Sequence, residues 1–428
     1  MEQKKIIQVE DKVPLKLLFP LSLQHMFAMF GASVLVPILF NINPAVVLLM
    51  NGIGTILFFF ITKGKAPAYL GSSFAFLAPA GLVISKWGYP YALGGFIVVG
   101  LGMCIVSFII YKFGTKWIDI VLPAAAMGPV VALIGLELAG TAADTAGLLP
   151  KEGVVIDPKN VLVFVVTLGF AVFGNVLFRK FFAVIPVLIA IIAGYVTALL
   201  TKVITVESLS SALHTSFFIV PNFQLPRFNL QAIIMILPVI LVITSEHIGH
   251  QIVTSKIVER DLIKDPGLHR SMFADGFSTM LSGFVGSVPT TTYGENIGVM
   301  AMTKVYSIQV IGGAAVLSII ASFIGPVAAL IQTIPGAVIG GISFLLYGMI
   351  GASGIRVIVD GRVDYGRSRN LTLTSVVFVT GLSGVALNLG EVTLKGMVLA
   401  TIVGMGLSLL FYIFDKLNLT NDKDEEAA

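Results

Sequence analysis

Charge is scarce in this chain. Only 12% of its 428 residues are Asp, Glu, Lys or Arg, while 56% are hydrophobic; soluble domains carry roughly a quarter and just under half respectively, so an ordinary soluble fold is excluded. Cysteine is nearly absent as well. Cys104 stands alone, which rules out a disulfide within the chain and leaves the redox compartment unreadable. No helix carries the HExxH pattern of a zinc hydrolase. No cleavable signal peptide is expected, because Met1 to Lys12 mixes both charges and runs straight into apolar sequence. What the chain has in quantity is glycine, 44 residues of it, which lets helices approach closely in lipid. With a mean hydropathy of +0.97, the composition is that of a polytopic membrane protein.

A bilayer-length window finds about fourteen apolar segments, at 14–40, 45–62, 67–83, 90–111, 117–140, 160–178, 181–201, 229–254, 271–288, 289–303, 307–333, 335–351, 371–388 and 396–415. An even count puts both termini on one side. All Lys and Arg except Lys86, Lys151, Lys159, Lys202, Arg227 and Lys395 then fall on that side, and the skew predicts cytoplasmic termini. The third and tenth segments are unusual. Ala66 to Phe74 and Ser287 to Gly294 are rich in Pro, Gly and hydroxyl residues, so each is expected to contain a short extended break, tolerated at membrane depth only where protein or water covers it.

Segments three and ten are seven apart, and so are segments one and eight, which carry Gln24-His25 and Glu246-His247. An odd offset predicts two inverted repeats of seven segments each, with the binding site where the broken segments meet. The expected organisation is an N-terminal segment 1–13, a first repeat 14–205, a linker 206–228, a second repeat 229–416 and an acidic tail 417–428, the last reading as solvated and disordered.

Ionisable residues inside such segments mark the site. Each costs roughly 2.5–3.5 kcal/mol at the bilayer centre on insertion scales. Two stretches carry them: Ser245-Glu246-His247-Ile248-Gly249-His250, and Tyr293-Gly294-Glu295-Asn296. On a helix Glu246 and His250 share a face, whereas His247 points elsewhere and could simply bond a neighbouring helix. Gly294 follows an extended run and opens a helix, where free N–H groups are donors. Carboxylate acceptors, backbone donors and nearby aromatic faces suit a neutral, flat, hydrogen-bonding solute. No cluster of Lys or Arg at depth suggests an anion. Titratable Glu and His fit proton coupling better than sodium coupling. For Phe74, Tyr293 and Tyr347, plain core packing is the competing role.

The run Glu295-Asn296-Ile297-Gly298-Val299-Met300-Ala301-Met302-Thr303-Lys304 resembles the signature of the nucleobase–ascorbate transporter family. Gln24-His25 and Glu246 to His250 resemble two further motifs of that family. The likeness extends from about Pro20 to Leu410 through runs such as YLGSSFAF, DPGLHRSMFA and TTYGENIGVMA, closest to members that carry uracil. The resemblance implies an all-helical membrane fold of fourteen spans in inverted repeats, with a core domain (spans 1–4 and 8–11) and a gate domain (spans 5–7 and 12–14). It implies that Glu246 and Glu295 bind the pyrimidine ring, that the N–H groups of Phe74 and Gly294 meet its carbonyls, that Ala32, Tyr293 and Tyr347 enclose it, and that His250 serves proton coupling with Glu246 and Glu295.

It further implies proton symport of uracil or a related nucleobase, no cofactor beyond the co-transported proton, a multi-pass location in the plasma membrane, and a homodimer formed through the gate. A xanthine or other purine-base symporter is the alternative within the class. Outside it stand a channel, which broken paired helices disfavour, and an intramembrane metal enzyme built on Glu246, His250 and Glu295, which lacks further ligands at suitable spacing. Asp275 departs from the family pattern, where Asn is expected, and reads as an interfacial acid without a role; pairing with a loop Arg and a titratable role near the core are the alternatives.

Overall fold

The computed structural model describes residues 6–150, 155–179, 182–390 and 392–420. The acidic end of the expected tail, residues 421–428, lies outside the described residues, as does the side chain of Ala32. The chain is mostly helical, as expected. The first half contains α1 (Leu15–Leu39), α2 (Pro44–Ile61), strand β1 (Leu70–Ser72), a single 3-10 turn (Phe74–Phe76), α3 (Leu77–Trp87), α4 (Tyr89–Phe113), α5 (Lys116–Val121), α6 (Ala124–Glu137), α7 (Ala139–Thr145), α8 (Pro158–Leu177) and α9 (Pro186–Leu200). A joint follows with a short α10 (Val206–Leu213). The second half contains α11 (Leu230–Ile236), α12 (Val239–Val258), α13 (Leu268–Val285), β2 (Thr290–Thr292), α14 (Gly294–Thr303), α15 (Ile308–Ser322), α16 (Gly325–Gln332), α17 (Gly336–Asp360), α18 (Ser368–Leu382), a hairpin of β3 (Ala386–Leu389) and β4 (Val392–Lys395), and α19 (Gly396–Lys416). Among the described residues, eight helices are long and apolar enough to cross a membrane, and three shorter apolar ones accompany them.

Several segments differ from expectation: 117–140 is divided into α5, α6 and α7 and 229–254 into α11 and α12, with Pro123 ahead of α6 and Pro238 ahead of α12, and two further differences have local reasons. The apolar stretch 307–333 is two helices, α15 and α16, because Gly325-Pro326 starts a new helix after Ile324 turns extended. The stretch 371–388 stops being helical at Leu382; Gly384 takes a positive φ of 76° and the chain turns into the β3–β4 hairpin. Short α16 stands in the second half where short α5 stands in the first, each between the fourth and fifth long segments of its half.

Packing interleaves the halves. Helix α4 lies along α13, and α1 and α2 lie along α15; separately, α6 lies along α17, α8 along α9 and α17, and α18 along α19 and α6. The two breaks meet in the middle. Strands β1 and β2 pair antiparallel, with Leu70 opposite Thr292, Gly71 opposite Thr291 and Ser72 opposite Thr290. Ser73 N–H donates to Pro289 O at 2.9 Å and Tyr293 N–H to Tyr69 O at 3.1 Å, so the ladder's ends are closed and its backbone is satisfied at depth.

A matching device props each strand from behind. In the first half Thr55 Oγ1 on α2 accepts from Leu70 N–H at 2.9 Å. In the second, Thr279 Oγ1 on α13 accepts from Thr290 N–H at 3.2 Å and donates to Thr290 O at 2.8 Å. Helices α2 and α13 are the second segments of their halves, so an inverted symmetry too weak to align by residue survives as a hydrogen-bonding pattern.

Gly71 is required by close approach. A Cβ there would stand 2.2 Å from the Tyr293 ring, which lies over the strand with its hydroxyl donating to Ser72 O at 3.1 Å. Gly71→Ala is therefore expected to destabilise the protein by about 1–3 kcal/mol through overpacking. Thermal unfolding in detergent reads the loss, and Gly71→Ala combined with Tyr293→Leu should recover part of it.

Candidate functional site

The ladder places two helix starts side by side: the turn beginning at Phe74 and helix α14 beginning at Gly294. Helix α12 packs against α14 and β2 and brings Glu246 and His250 to them. The His250 imidazole is fixed by Thr292, with Nδ1 3.1 Å from Oγ1, and a Cβ at position 294 would stand 3.4 Å from its Nε2. Gly294 and Gly298 are exposed while Asn296 and Ile297 between them are buried. Helix α14 thus turns one bare edge toward an opening, on the side where a solute can approach its N–H groups.

Glu246 does not pair with His250. Its Oε2 is buried and has no hydrogen-bond partner, and the hydroxyls of Ser72 and Ser73 at the end of β1 are likewise buried without one. Buried polar groups are normally satisfied, so three orphans beside one pair of helix starts describe a place built for a polar guest. Glu295 occupies the first turn of α14, where the helix dipole favours negative charge. Phe74 and Tyr347 of α17 meet edge to face, with centroids 5.9 Å apart and planes at 83°. They form an apolar wall shared between helices that otherwise pack in different groups.

The remaining candidates sort by environment. Tyr293 is buried against Gly71 and bonded to Ser72, so its ring braces the ladder. Ala32 lies in α1. His25, also on α1, is fully buried with Nδ1 2.9 Å from Asn296 Oδ1, tying the first helix to α14. His247 does bond a neighbouring helix: Nδ1 is 2.9 Å from Asp275 Oδ2 and Nε2 is 2.9 Å from Ser271 Oγ, both on α13.

Asp275 corrects the expectation of an idle interfacial acid. It is fully buried, accepts from Thr291 Oγ1 at 3.1 Å as well as facing His247, and so joins α12, α13 and β2. The reason is positional. About two helical turns inside α13, its side chain points to the ladder rather than to the membrane surface. What sequence reasoning missed was the use of Thr290-Thr291-Thr292, which bond Ser278, Asp275 and His250 in turn. The hydroxyl run was visible, but alternation along a strand decides which helix each Thr reaches.

Comparison with known proteins agrees with this architecture. A model described as "Permease family" matches residues 16–390. A uracil permease of Escherichia coli (strain K12) is 56% identical over 414 residues, covering 97% of this chain and 96% of that one, and a uracil permease of Paenibacillus larvae is 52% identical over 421 residues, covering 98% and 99%. Among solved structures, the transmembrane domain of a cyanobacterium bicarbonate transporter, BicA, superposes with a TM-score of 0.63 at 14% identity, covering 94% of this chain and 100% of that one; at that identity it shows the shared inverted-repeat fold alone. The ladder of paired breaks, the buried acids beside it and the near full-length match place this chain in the permease family of nucleobase–ascorbate transporters.

Proposed function

We propose that the protein imports uracil across the plasma membrane in symport with a proton. The observation that carries this is the unpartnered, buried Glu246 carboxylate oxygen beside the helix start that holds Glu295, in a chain more than half identical to uracil permeases. Uracil offers ring N–H donors to the two carboxylates and carbonyl acceptors to the N–H groups at Phe74 and Gly294. Phe74 and Tyr347 wall the flat ring, with Ala32 completing the enclosure, while Tyr293 braces the ladder beside it. His250, held by Thr292, serves to pass a proton to and from the site together with Glu246 and Glu295.

Transport follows from relative movement of two bodies, a core of α1–α4 with α11–α16 and a gate of α5–α9 with α17–α19. The pairing of α4 with α13 and α2 with α15, against α6 with α17 and α18 with α19, supports that division. The termini lie on the cytoplasmic side, by the distribution of Lys and Arg, and the gate helices form the contact of a homodimer.

Uptake of labelled uracil into proteoliposomes, with and without an inward proton gradient, tests the proposal. Accumulation is expected only with the gradient, and excess unlabelled xanthine should compete poorly. Uracil uptake indifferent to pH and to proton ionophores would remove the symport; preferential carriage of xanthine would reassign the substrate.

A further inference from the structure

The chain before α1 is built into the site's framework. Residues 6–13 run beside the connection that leaves α14: Ile7 N–H donates to Lys304 O at 3.0 Å, Tyr306 N–H to Ile7 O at 2.8 Å and Ile308 N–H to Val9 O at 3.0 Å. Side chains continue the seam. Ser307 Oγ donates to Asp11 O at 2.8 Å, and Val13 N–H to Gln309 Oε1 at 3.1 Å. Val9 is fully buried, and Val13 packs with Val305 and Val310. The segment grips α14 at its last turn, where Lys304 takes a left-handed φ of 62° to end the helix.

A second attachment reaches the other substrate helix. Glu10 Oε1 accepts from Arg260 Nη1 at 2.5 Å, and Arg260 follows Glu259, the left-handed residue that ends α12. That guanidinium holds the Glu10 carboxyl below its ordinary range. Being exposed, the ion pair is a weak hold by itself; the backbone bonds and buried Val9 make the stronger one. One segment therefore touches the far ends of the two helices that carry Glu246 and His250 on one side and Glu295 on the other.

We infer that residues 6–13 are a positioning strap that fixes α12 relative to α14 and thereby sets the spacing of Glu246 and Glu295. Helix α14 is ten residues long, about 15 Å, and moves as a rod, so releasing its end displaces the carboxylate at its start. A hydrogen-bonding site tolerates little such displacement, since misplacement by about 1 Å can cost on the order of a hundredfold. The strap's effect on affinity rests on the uracil reading, whereas its effect on helix spacing does not.

Full-length protein with Cys104→Ser, Ile252→Cys and Met302→Cys carries spin labels on exposed positions of α12 and α14, and pulsed electron resonance reads their separation without any substrate. Two strap variants are compared: Ile7→Pro, which deletes the N–H donated to Lys304, and Val9→Asp, which charges the buried contact. In either variant that purifies as a folded protein, the distance distribution should broaden or shift, and the KM for uracil should rise about tenfold with kcat within about twofold; Val9→Ile should restore both. Unchanged distance and KM alongside a lower melting temperature would overturn the inference, leaving the strap a stabilising element only. If the parent carries no uracil, the functional proposal fails while the distance measurement still decides the strap.

Discussion

Glu295→Ala is expected to weaken uracil binding by about 10- to 100-fold, and Glu246→Ala by a similar factor. A hydrogen bond to a charged group contributes about 1.5–3 kcal/mol net, and each 1.4 kcal/mol is tenfold in affinity. Glu246 has the clearer case, because its Oε2 is buried and unpaired; its removal breaks no hydrogen bond of that oxygen within the protein, so the loss falls on the ligand. Glu295 sits in the first turn of α14, so its removal also takes a charge from the helix start and leaves the Gly294 N–H in place. The two losses should not add, since both carboxylates grip one small ring. Calorimetric titration of purified protein with uracil measures each. Affinities within twofold of the parent for both variants would mean the carboxylates do not touch the substrate. His250→Ala should separate recognition from coupling, keeping binding while abolishing accumulation against a gradient.

The second large effect is on stability. Asp275→Leu should cost about 3–5 kcal/mol, the usual penalty for removing one partner of a buried pair. It strips Thr291 of its acceptor and leaves fully buried His247 facing an apolar group. The diagnostic is the double variant. His247→Leu with Asp275→Leu replaces the pair by hydrocarbon, and such replacements are often neutral or better, so thermal stability in detergent should return most of the way while Asp275→Asn falls between. A double variant as unstable as the single would show that the Thr291–Asp275 and Ser271–His247 hydrogen bonds, rather than the His–Asp contact, carry the stability. A buried pair placed one hydrogen bond behind His250's own partner strand also makes Asp275 a structural neighbour of the transport chemistry.

Much of this was legible in order along the chain. The polytopic helical class, the two breaks and the costly residues flanking them follow from the expense of polar groups in lipid, and that expense acts on each residue separately. The positions of Glu246, Glu295 and Gly294 on helices meeting at the breaks followed from the spacing of the two halves. What could not be read was direction. Whether Tyr293 faces a ligand or Gly71, whether Asp275 faces solvent or His247, and which helix each of Thr290, Thr291 and Thr292 reaches all depend on strand alternation and on a partner helix far away in sequence. The division of 307–333 into α15 and α16 was hidden for another reason: Gly325-Pro326 looks like a tolerated kink until the following helix is seen to turn away.

The pairing of β1 with β2 has a consequence for how the molecule is made. Leu70 finds its partner only in Thr292, and at roughly 5–20 residues per second the ribosome delivers that partner on the order of 10–40 s later. Throughout that interval the first break sits in or beside the bilayer with an unpaired strand edge, propped by Thr55 alone. The first half of the chain is therefore an unfinished product awaiting its counterpart, and the binding site comes into existence late, when the tenth segment enters and closes the ladder. Mutations that weaken the ladder should accordingly reveal themselves first as lost yield during biosynthesis, before any defect in the mature carrier is seen.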